Sequence, residues 1–549
     1  MTDEGNVLSI EGLTVDLPAW ADRRHAVEDV SLALGHDEIL CVVGESGSGK
    51  SVMARSILGL STSRHVQPSA GRILYRGEDL LQAPPERMRA LRGSRIAMIF
   101  QEPMTALNPV HTIGRQIEEA IAVHVRSSSD ERRQKVLEML AAVQLPDPAR
   151  IHAAYPHQVS GGQRQRAMIA MALILEPDIL IADEPTTALD VTTQAQVLAL
   201  IREMQRKRRM AVLFITHDFG VVAEIADRIA VMQHGKLVEH GPAQRVLEAP
   251  EHPYTRALLA AVPDLAPAPA RRDFDADPVA LKVSGLQKAY RGKGIFRTAA
   301  RVVHAAKDVA LQVRRGETVG IVGESGSGKS TVARCIARLV PLDAGEIQVG
   351  DIDYGRLSQR ALRRHRKRIQ MVFQDPYGSL DPRQTVASLI AEGPMIHGAT
   401  AEDARRRALE LLALVGLDAR SADRFPHEFS GGQRQRIGLA RALALDPDVL
   451  IADEPVSALD VSVQAQVLRL LADIRERLGL SMLFITHDLR VAGQVCDSIA
   501  VMRHGAIVEF GRTESVFNAP THPYTQTLFG AVPGRAWSLR RSAALREQT

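Results

Sequence analysis

The chain of 549 residues contains the same series of short motifs twice, and this repetition constrains its fold more than any other feature. The sequence GESGSGKS occurs at 44–51 and again at 323–330, an offset of 279 residues. SGGQRQR at 160–166, LFITHD at 213–218 and HPYT at 252–255 each recur 270 residues later. Because solenoid repeats have periods of only about 20–50 residues, the duplication predicts two whole domains in tandem, each of about 260 residues.

A stretch rich in Pro, Ala and charged residues separates the two copies, and its composition predicts a short linker. We expect domains at 1–263 and 279–533, a linker at 264–278 and a basic tail at 534–549. The second copy also carries extra residues in the basic stretch 291–301, and it is shorter than the first between its GKS and SGGQ motifs. Both differences in length are expected to lie in loops.

The composition is that of an ordinary globular protein, with 45% apolar and 24% charged residues. The net charge of +4 is spread over the whole length and does not by itself indicate nucleic-acid binding. Cys41, Cys335 and Cys496 are too far apart for the usual metal-binding spacings, which predicts inert core thiols in a reducing compartment. No apolar run approaches the roughly 20 residues that span a bilayer, and the acidic N-terminus does not resemble a signal peptide. We therefore expect any membrane role to depend on partners.

Short apolar runs alternate with helical patterns, which predicts an α/β fold with a mostly parallel sheet. In each half one run leads into the Gly-rich turn, one ends in Asp-Glu and one ends in His-Asp. These runs are 39–43, 179–182 and 212–216 in the first half, and 318–322, 449–452 and 482–486 in the second. A helix is also predicted after Thr400, with Asp403 as its capping partner and a stop at Gly416.

GESGSGKS fits the G-x-x-x-x-G-K-[ST] pattern of a phosphate-binding loop, in the required position after a strand and before a helix. Its glycines let the backbone curl so that several N–H groups point at one phosphate chain. We expect Lys50 and Lys329 to reach the β- and γ-phosphates, and the hydroxyls of Ser51 and Ser330 to bind Mg²⁺. The other expected nucleotide contacts of these loops are Gly44, Gly47, Gly49, Gly323, Gly326, Gly328 and Thr331.

Two neighbouring carboxylates end a predicted strand in each half. Asp183 and Asp453 are predicted to hold Mg²⁺, directly or through water. Glu184 and Glu454 follow one residue later and suit the general base that activates the attacking water. A single Asp-Glu pair is usually only polar surface, but its place after a phosphate loop in both halves favours a catalytic role.

The order of the motifs resembles that of ATP-binding cassette (ABC) ATPases, here as two fused nucleotide-binding domains, over essentially the whole chain. In each half the phosphate loop is followed by Gln101 or Gln374, within IFQEP or VFQDP, and then by SGGQ, DEP, ALD and THD. The resemblance implies tandem P-loop (RecA-like) domains, each with a helical subdomain and an N-terminal antiparallel β part. It also implies that the ligands are ATP and Mg²⁺ and that the activity is ATP hydrolysis.

The resemblance further implies that the two halves form a head-to-tail sandwich around two ATP molecules. Neither half shows an obvious arginine finger of its own, so the γ-phosphate needs a partner from elsewhere, which the resemblance implies is the other half. The residues expected to supply it are Ser160, Gly161 and Gly162 opposite the Lys329 site, and Ser430, Gly431 and Gly432 opposite the Lys50 site. By resemblance, His217 and His487 position the water, Gln101 and Gln374 sense Mg²⁺ and couple to a partner, and Asp190 and Asp460 link the two sites.

The two ATP sites are not expected to be equal. The family usually stacks adenine on an aromatic residue near the start of each domain, and Tyr290 in the second half matches Leu17 in the first. Trp20 lies three residues away and is a possible substitute. Val52 also replaces the hydroxyl of Thr331. These differences predict weaker ATP binding at the Lys50 site than at the Lys329 site.

The HPYT motifs predict a Pro-initiated helix with a packed tyrosine. They also resemble the C-terminal element of oligopeptide, dipeptide and nickel importer ATPases, as do EPMTALNP at 102–109 and DPYGSLDP at 375–382. The whole chain most resembles fused importer ATPases of the glutathione or microcin/peptide type. This resemblance implies two permease subunits and an extracytoplasmic binding protein as partners, and a peripheral place on the cytoplasmic face of the bacterial inner membrane. No cysteine cluster follows HPYT, so no iron–sulfur cluster is expected.

The alternative is a soluble tandem ABC ATPase that acts on ribosomes or DNA. Basic runs occur at 206–209, 363–368 and 540–546, but we interpret them as solvated helix ends that complement the helix dipole. The chain lacks the long charged linker of translation-type relatives and the zinc CxxC pairs of repair-type relatives. We therefore favour the importer and expect no direct contact with nucleic acid.

Overall fold

The computed structural model describes residues 5–60, 63, 65–101, 106–186, 189–291, 302–375, 378–457 and 459–547. The chain divides into two compact units: the first ends at Val262, and the second consists of the chain from Pro263 together with Asp190–Thr192. The boundary lies within one residue of the predicted end of the first domain. Parts of the predicted segments 102–109, 291–301 and 375–382 lie outside the described residues.

In the described part of the first unit, the strands form an antiparallel sheet and a mostly parallel sheet. The strands are β1 (Asn6–Asp16), β2 (His25–Gly35), β3 (Ile39–Val43), β4 (Pro68–Tyr75), β5 (Glu78–Asp79), β6 (Ile96–Ile99), β7 (Ile179–Asp183), β8 (Ala211–Ile215), β9 (Arg228–Gln233) and β10 (Lys236–Pro242). The antiparallel sheet has the order β2-β1-β4-β5, and the second sheet has the order β10-β9-β3-β8-β7-β6. All neighbours in the second sheet pair in parallel except β9 and β10.

Helices cover the parallel sheet and form a separate helical region between Gln101 and Ser160. The helices of the first unit are α1 (Lys50–Ile57), α2 (Pro85–Leu91), α3 (Ile113–His124), α4 (Ser129–Ala142), α5 (Pro148–Ala153), α6 (Gly161–Leu173), α7 (Val191–Arg208), α8 (Phe219–Ile225), α9 (Ala243–Glu248) and α10 (Pro253–Ala261), with a 3-10 turn at Pro156–Gln158. Helix α3 begins at the cap Thr112 and buries Ile113, Ile117 and Ile121, which recur every four residues on one face.

The second unit repeats this architecture. Its strands are β11 (Val279–Arg291), β12 (Val302–Arg314), β13 (Thr318–Val322), β14 (Ala344–Val349), β15 (Ile352–Asp353), β16 (Ile369–Val372), β17 (Val449–Asp453), β18 (Ser481–Thr486), β19 (Ser498–Arg503) and β20 (Ala506–Arg512). The sheet orders are β12-β11-β14-β15 and β16-β17-β18-β13-β19-β20. The tandem α/β fold with an N-terminal antiparallel sheet in each half is therefore confirmed.

The helices of the second unit again cover the parallel sheet and form a helical region between Gln374 and Ser430. They are α11 (Lys329–Ile336), α12 (Gln359–His365), α13 (Val386–Ile396), α14 (Ala401–Leu414), α15 (Gly431–Leu443), α16 (Val461–Leu478), α17 (Leu489–Val495), α18 (Thr513–Asn518), α19 (Pro523–Gly530) and α20 (Arg535–Glu547), with 3-10 turns at Arg366–Arg368, Ala419–Asp423 and Pro426–Glu428. The predicted cap of α14 is present, since Thr400 Oγ1 accepts a hydrogen bond from the Asp403 N–H at 3.1 Å. Among the described residues, no helix has the length and apolar character needed to cross a membrane.

The parallel strands form the core of each unit. All five residues of β3, β7 and β8 are buried, as are those of β13 and β17, because helices or the antiparallel sheet cover both faces. The three cysteines lie in this interior, as predicted. Burial raises the pKa of Cys335 to about 11, so its thiol stays protonated and unreactive.

An aspartate supports the first strand of each parallel sheet, and the two units neutralise it differently. In the first unit Asp227 accepts a hydrogen bond from the Ile39 N–H at 2.8 Å. Arg202, on α7, donates to both carboxylate oxygens of Asp227 and to the carbonyl of Ile225. One side chain therefore serves the carboxylate and a neighbouring helix end.

In the second unit these two tasks belong to two arginines. Asp497 accepts from the Thr318 N–H at 2.8 Å, but the position equivalent to Arg202 is Ala472. Arg271, from the segment predicted to be a linker, pairs with Asp497 instead, with its Nε 2.9 Å from Oδ1. Arg475 donates to the carbonyl of Val495 at 3.1 Å, as Arg202 does to that of Ile225. The segment 264–278 has no helix or strand but is part of the second unit's fold.

The predicted basic tail is also attached to the second unit, at least at its start. Helix α20 buries Trp537 and Ser538, and the hydroxyl of Ser538 accepts a hydrogen bond from the Leu265 N–H at 3.1 Å. The tail thus begins as a packed helix rather than as a free extension.

We predict that Arg271→Ala destabilises the second unit by about 1–2 kcal/mol, between the values for exposed and buried ion pairs. The loss arises because Asp497 keeps its strand-supporting bond but loses its counter-charge. Urea unfolding, with hydrogen exchange measured on β13, checks this. The control is Arg356→Ala, because Arg356 is exposed and pairs with the half-exposed Glu346. Equal stability of the two variants would contradict the structural role of the linker.

Candidate functional site

Each phosphate loop joins a buried strand to a helix, and close contacts require glycine at its first and last glycine positions. Gly44 has φ +148°, and a Cβ there would lie 2.2 Å from the carbonyl oxygen of Met232. Gly49 has φ +103°, and a Cβ there would lie 2.4 Å from the carbonyl oxygen of Ala26. Only glycine fits both positions without moving backbone. Gly323 and Gly328 repeat these contacts in the second unit.

The loop lysine lies inside its own loop. Lys50 Nζ donates to the carbonyl oxygens of Gly44 and Glu45, both at 2.8 Å. Lys329 Nζ makes the same pair of bonds at 2.7 and 2.8 Å, to Gly323 and Glu324. Burial lowers the pKa of Lys329, against the opposing pull of nearby carboxylates. Each ammonium group is thus held inside the curve of its own loop.

The predicted magnesium ligands are in contact with each other. Ser51 Oγ donates to Asp183 Oδ1 at 2.9 Å, and Ser330 Oγ donates to Asp453 Oδ1 at the same distance. Burial raises the pKa of both aspartates, although the serine bonds oppose the shift. Asp183 Oδ2 is buried and accepts no hydrogen bond from the described residues. A buried carboxylate oxygen without a donor fits a hard cation such as Mg²⁺.

No group of three or more His, Cys, Asp or Glu side chains suited to a metal occurs among the residues the structure describes.

The predicted base, histidine and glutamine form one cluster in each unit. Gln101 Nε2 donates to Glu184 Oε2 at 3.0 Å, and His217 Nδ1 lies 3.2 Å from Glu184 Oε1. In the second unit Gln374 Nε2 and His487 Nδ1 lie 2.9 and 3.1 Å from the carboxylate of Glu454. The structure therefore brings together the three residue types that the sequence predicts at the γ-phosphate.

The backbone of the predicted base is unusual. Glu184 and Glu454 both have φ +48°, the left-handed region that non-glycine residues avoid. Each is held there because its N–H donates at 2.9 Å to a carbonyl of the neighbouring strand, that of Ile215 or of Ile485. Strained conformations of this kind collect at functional sites, where the surrounding structure holds them. The strain turns the glutamate away from the direction of its strand.

Electrostatics favour the ionised form of Glu454, the predicted base of the second unit. Burial alone would raise the pKa of Glu454, but the hydrogen bond from His487 and the charges of His487 and Lys329 hold that pKa below its usual value. The same interaction raises the pKa of His487 against the effect of its own burial. An ionised carboxylate is the form that accepts a proton from water.

The SGGQ motifs begin helices α6 and α15. Ser160 and Ser430 are the N-caps, and each forms a capping box with the Gln three residues later. The two glycines differ in what surrounds them. A Cβ at Gly161 would meet no atom of its own unit within 4 Å, whereas one at Gly162 would lie 2.7 Å from Thr193 Cγ2. Gly162 is therefore needed for packing, and Gly161 leaves the helix N-terminus open to a ligand.

The remaining predicted residues make the following contacts. Asp190 Oδ1 accepts a hydrogen bond from the Thr192 hydroxyl at 2.8 Å, and Asp460 precedes α16 as its N-cap residue. The ring of Tyr290 is 44% exposed and lies over Lys288 Nζ at 5.7 Å. Trp20, in a turn of the first unit, is 84% exposed.

The sequence analysis missed one pair of residues at the site. The HPYT helices are present as predicted, as α10 and α19, but their tyrosines do more than pack. The hydroxyls of Tyr254 and Tyr524 accept hydrogen bonds from the backbone N–H groups of Glu45 and Glu324, inside the phosphate loops. The available signal was the repetition of HPYT in both halves, which does not reveal a contact over about 200 residues.

We predict that alanine at the first SGGQ glycine of the first unit lowers activity, whereas alanine at the second lowers stability. Gly161→Ala should keep the thermal stability but lower ATP hydrolysis, because a misplacement of 1 Å at a reacting group costs up to about 100-fold in rate. Gly162→Ala should lower the free energy of unfolding by about 1–3 kcal/mol through overpacking against Thr193. Thermal melts and phosphate release measured on both variants check this. Full activity of Gly161→Ala would contradict the predicted role of this helix N-terminus in ATP hydrolysis.

Comparison with known proteins agrees with this geometry. Residues 27–187 and 306–457 match the ABC transporter family, and residues 238–288 and 508–548 match the C-terminal region of oligopeptide/dipeptide transporters. The relatives include glutathione import ATP-binding proteins of Salmonella choleraesuis (47% identical), Shigella dysenteriae (46%) and Escherichia coli K12 (46%). Each alignment covers 97% of this chain and 90% of the relative. The chain therefore belongs to the ABC transporter family, as an ATPase with two ABC ATP-binding domains and an oligopeptide/dipeptide-type C-terminal region in each half.

Proposed function

We propose that this protein is the energy-coupling subunit of a binding-protein-dependent ABC importer for glutathione or related small peptides. The observation that carries the proposal is the similarity of 97% of the chain to glutathione import ATP-binding proteins, at 46–47% identity. The presence of the oligopeptide/dipeptide transporter region in both halves supports the same substrate class.

The contacts within each unit support the following roles in ATP hydrolysis. Lys50 binds the β- and γ-phosphates, while Ser51 and Asp183 hold Mg²⁺, which neutralises phosphate charge when bound. Glu184 accepts a proton from the attacking water, and His217 and Gln101 orient that carboxylate and the γ-phosphate. The second set is Lys329, Ser330, Asp453, Glu454, His487 and Gln374.

Each ATP is proposed to require both halves of the chain. A single unit contains a phosphate loop and an SGGQ helix N-terminus, and Gly161 and Gly431 are each free of close side-chain crowding within their unit. The open N–H groups and the helix dipole suit a γ-phosphate. We assign Ser160–Gly162 to the ATP on Lys329 and Ser430–Gly432 to the ATP on Lys50, with Asp190 and Asp460 linking the two sites.

Transport would follow from the closing and opening of the two halves with ATP binding and hydrolysis. The helical regions after Gln101 and Gln374 would pass this motion to two permease subunits at the cytoplasmic face of the inner membrane. An extracytoplasmic binding protein and the permeases would select the solute. The basic runs do not favour nucleic acid, since Arg368 pairs with Asp448 and Arg208 with Glu176.

The two sites are proposed to bind ATP unequally. In the second unit Lys288 lies beneath the ring of Tyr290 and is itself fixed by Asp343 at 2.8 Å. The matching positions in the first unit are Val15 and Leu17, which offer neither an aromatic face nor a cation. The Lys329 site therefore has a supported platform for adenine.

We predict that ATP binds the Lys329 site at least about fivefold more tightly, since stacking on a base contributes roughly 1–3 kcal/mol. Calorimetry on the Glu184→Gln/Glu454→Gln variant, which removes the base at both sites, should resolve two affinities. Adding Tyr290→Leu should weaken binding at the Lys329 site, and adding Leu17→Tyr should instead strengthen binding at the Lys50 site. Either change should make the two affinities similar. Equal affinities in the starting variant would show that Tyr290 is not a platform.

We predict that the same double Glu→Gln variant loses ATP hydrolysis by about 10²–10⁴-fold and forms a stable complex with its partners in ATP. It should recover two multi-span permeases from detergent-solubilised membranes of the source cell, identified by mass spectrometry. A Lys50→Ala/Lys329→Ala variant, which should not hold ATP, serves as the control. Uptake of labelled glutathione and of labelled dipeptides tests the solute, since the transported compound should enter cells that carry the unchanged protein and not cells that carry either variant. Recovery of ribosomes or DNA-bound proteins without a permease would overturn the importer assignment.

A further inference from the structure

The HPYT tyrosine and the loop lysine hold the same peptide group from opposite sides. In the first unit the peptide that joins Gly44 to Glu45 has its carbonyl bound to Lys50 Nζ at 2.8 Å. Its N–H donates to the hydroxyl of Tyr254 at 3.1 Å. Because the C=O and N–H of a trans peptide point in opposite directions, the two side chains together fix its rotation.

The second unit repeats this arrangement in an independent copy of the sequence. Lys329 Nζ donates to the carbonyl of Gly323 at 2.7 Å, and the N–H of Glu324 donates to the hydroxyl of Tyr524 at 3.3 Å. The tyrosine is about 200 residues from the loop in each unit. Because a contact between segments so far apart in sequence occurs in both units, we interpret it as a feature of the fold.

The helix that carries the tyrosine is itself fixed to the parallel sheet. In the first unit the carboxylate of Glu239, on β10, accepts from the N–H groups of Glu251 and His252 at 2.8 and 3.0 Å. His252 caps the helix by accepting from the Tyr254 N–H at 3.2 Å. The tyrosine hydroxyl therefore reaches the phosphate loop from a rigid support.

The corresponding support in the second unit contains one more contact. Glu509 accepts from the N–H groups of Thr521 and His522, at 2.8 and 3.1 Å. In addition, the guanidinium of Arg503 lies 4.7 Å from the ring centroid of Tyr524, whereas the matching residue of the first unit is Gln233. Burial raises the pKa of Tyr524 to about 12, so its hydroxyl stays neutral at physiological pH.

We propose that Tyr254 and Tyr524 are positioning residues for ATP, which hold the first peptide of each phosphate loop in the orientation that binds phosphate. Without the hydroxyl this peptide can rotate about the flexible Gly44 or Gly323, and the fraction of loops competent to bind falls. Apparent affinity falls by the same factor. The proposal rests on the assignment of these loops to ATP and not on the transported solute.

The test measures ATP affinity and stability of the full chain, at each site separately. A starting variant with both Glu→Gln changes and Lys329→Ala retains ATP binding only at the Lys50 site, and the converse variant with Lys50→Ala retains it only at the Lys329 site. Tyr254→Phe in the first variant, and Tyr524→Phe in the second, removes only one hydroxyl. Calorimetry with ATP and Mg²⁺ should show affinity weaker by about three- to tenfold, the effect of one ordinary hydrogen bond.

A matched control separates positioning from general loosening. Tyr75 is buried in the antiparallel sheet of the first unit and donates its hydroxyl to Asp178, away from the phosphate loop. Tyr75→Phe should lower the melting temperature and leave ATP affinity unchanged. Tyr254→Phe should weaken ATP binding at the Lys50 site but, placed in the variant that keeps the Lys329 site, should have no effect there.

The possible outcomes distinguish the positioning role of the tyrosines from the assignment of the loops to ATP. If ATP affinity is unchanged or tighter in both Tyr→Phe variants, while Lys→Ala abolishes binding at its own site, the positioning role is wrong and the loop assignment stands. A fall in melting temperature without weaker ATP binding also overturns the positioning role, because the tyrosines would then contribute only to the stability of the fold. If Lys→Ala leaves binding intact, the loop assignment itself fails.

Discussion

The order of the parallel strands places the phosphate loop and the predicted reacting side chains of the candidate site. In the first unit β3, β8, β7 and β6 are neighbours, and their carboxyl ends carry the phosphate loop, His217, the Asp183-Glu184 pair and Gln101 in that order. Ligands of open α/β sheets bind at this edge. Since β8 lies between β3 and β7, the carbonyl of its last residue is available to hold Glu184 in the left-handed conformation. A different strand order would separate the loop from its carboxylates.

The two units keep the reacting groups the same and vary the groups that support them. The Ser–Asp, Gln–Glu and His–Glu distances agree within 0.1 Å between units. By contrast, the Lys288–Tyr290 pair and the Arg503 guanidinium of the second unit have no equivalents in the first. Under the proposed function, variation of this kind would change how firmly each unit holds a nucleotide without changing the groups proposed to react.

Much of the fold and site could be predicted because it depends on local sequence. The Gly-rich turns, the strand-end carboxylates and the Thr400 cap are each encoded within a few residues. The rest depends on contacts between distant segments. Nothing near Glu184 signals a positive φ, which is imposed by β8, and nothing in HPYT signals a bond to Glu45. Composition predicts the linker, but it does not show that Arg271 pairs with Asp497.

Because of the Arg271–Asp497 ion pair, the second copy of the repeated sequence and the second folded unit have different boundaries. In the first unit the counter-charge of the strand-supporting aspartate lies within the motif-bearing domain, on Arg202. In the second it comes from the connecting segment, so the duplicated sequence does not coincide with the folding unit. A fragment cut where the repeat resumes, at Val279, would lose Arg271 and the Leu265 contact to Ser538. A self-sufficient second half has to include Leu265 and Arg271, and an exchange of the connector for a generic flexible spacer would remove their contacts with the fold it leads into.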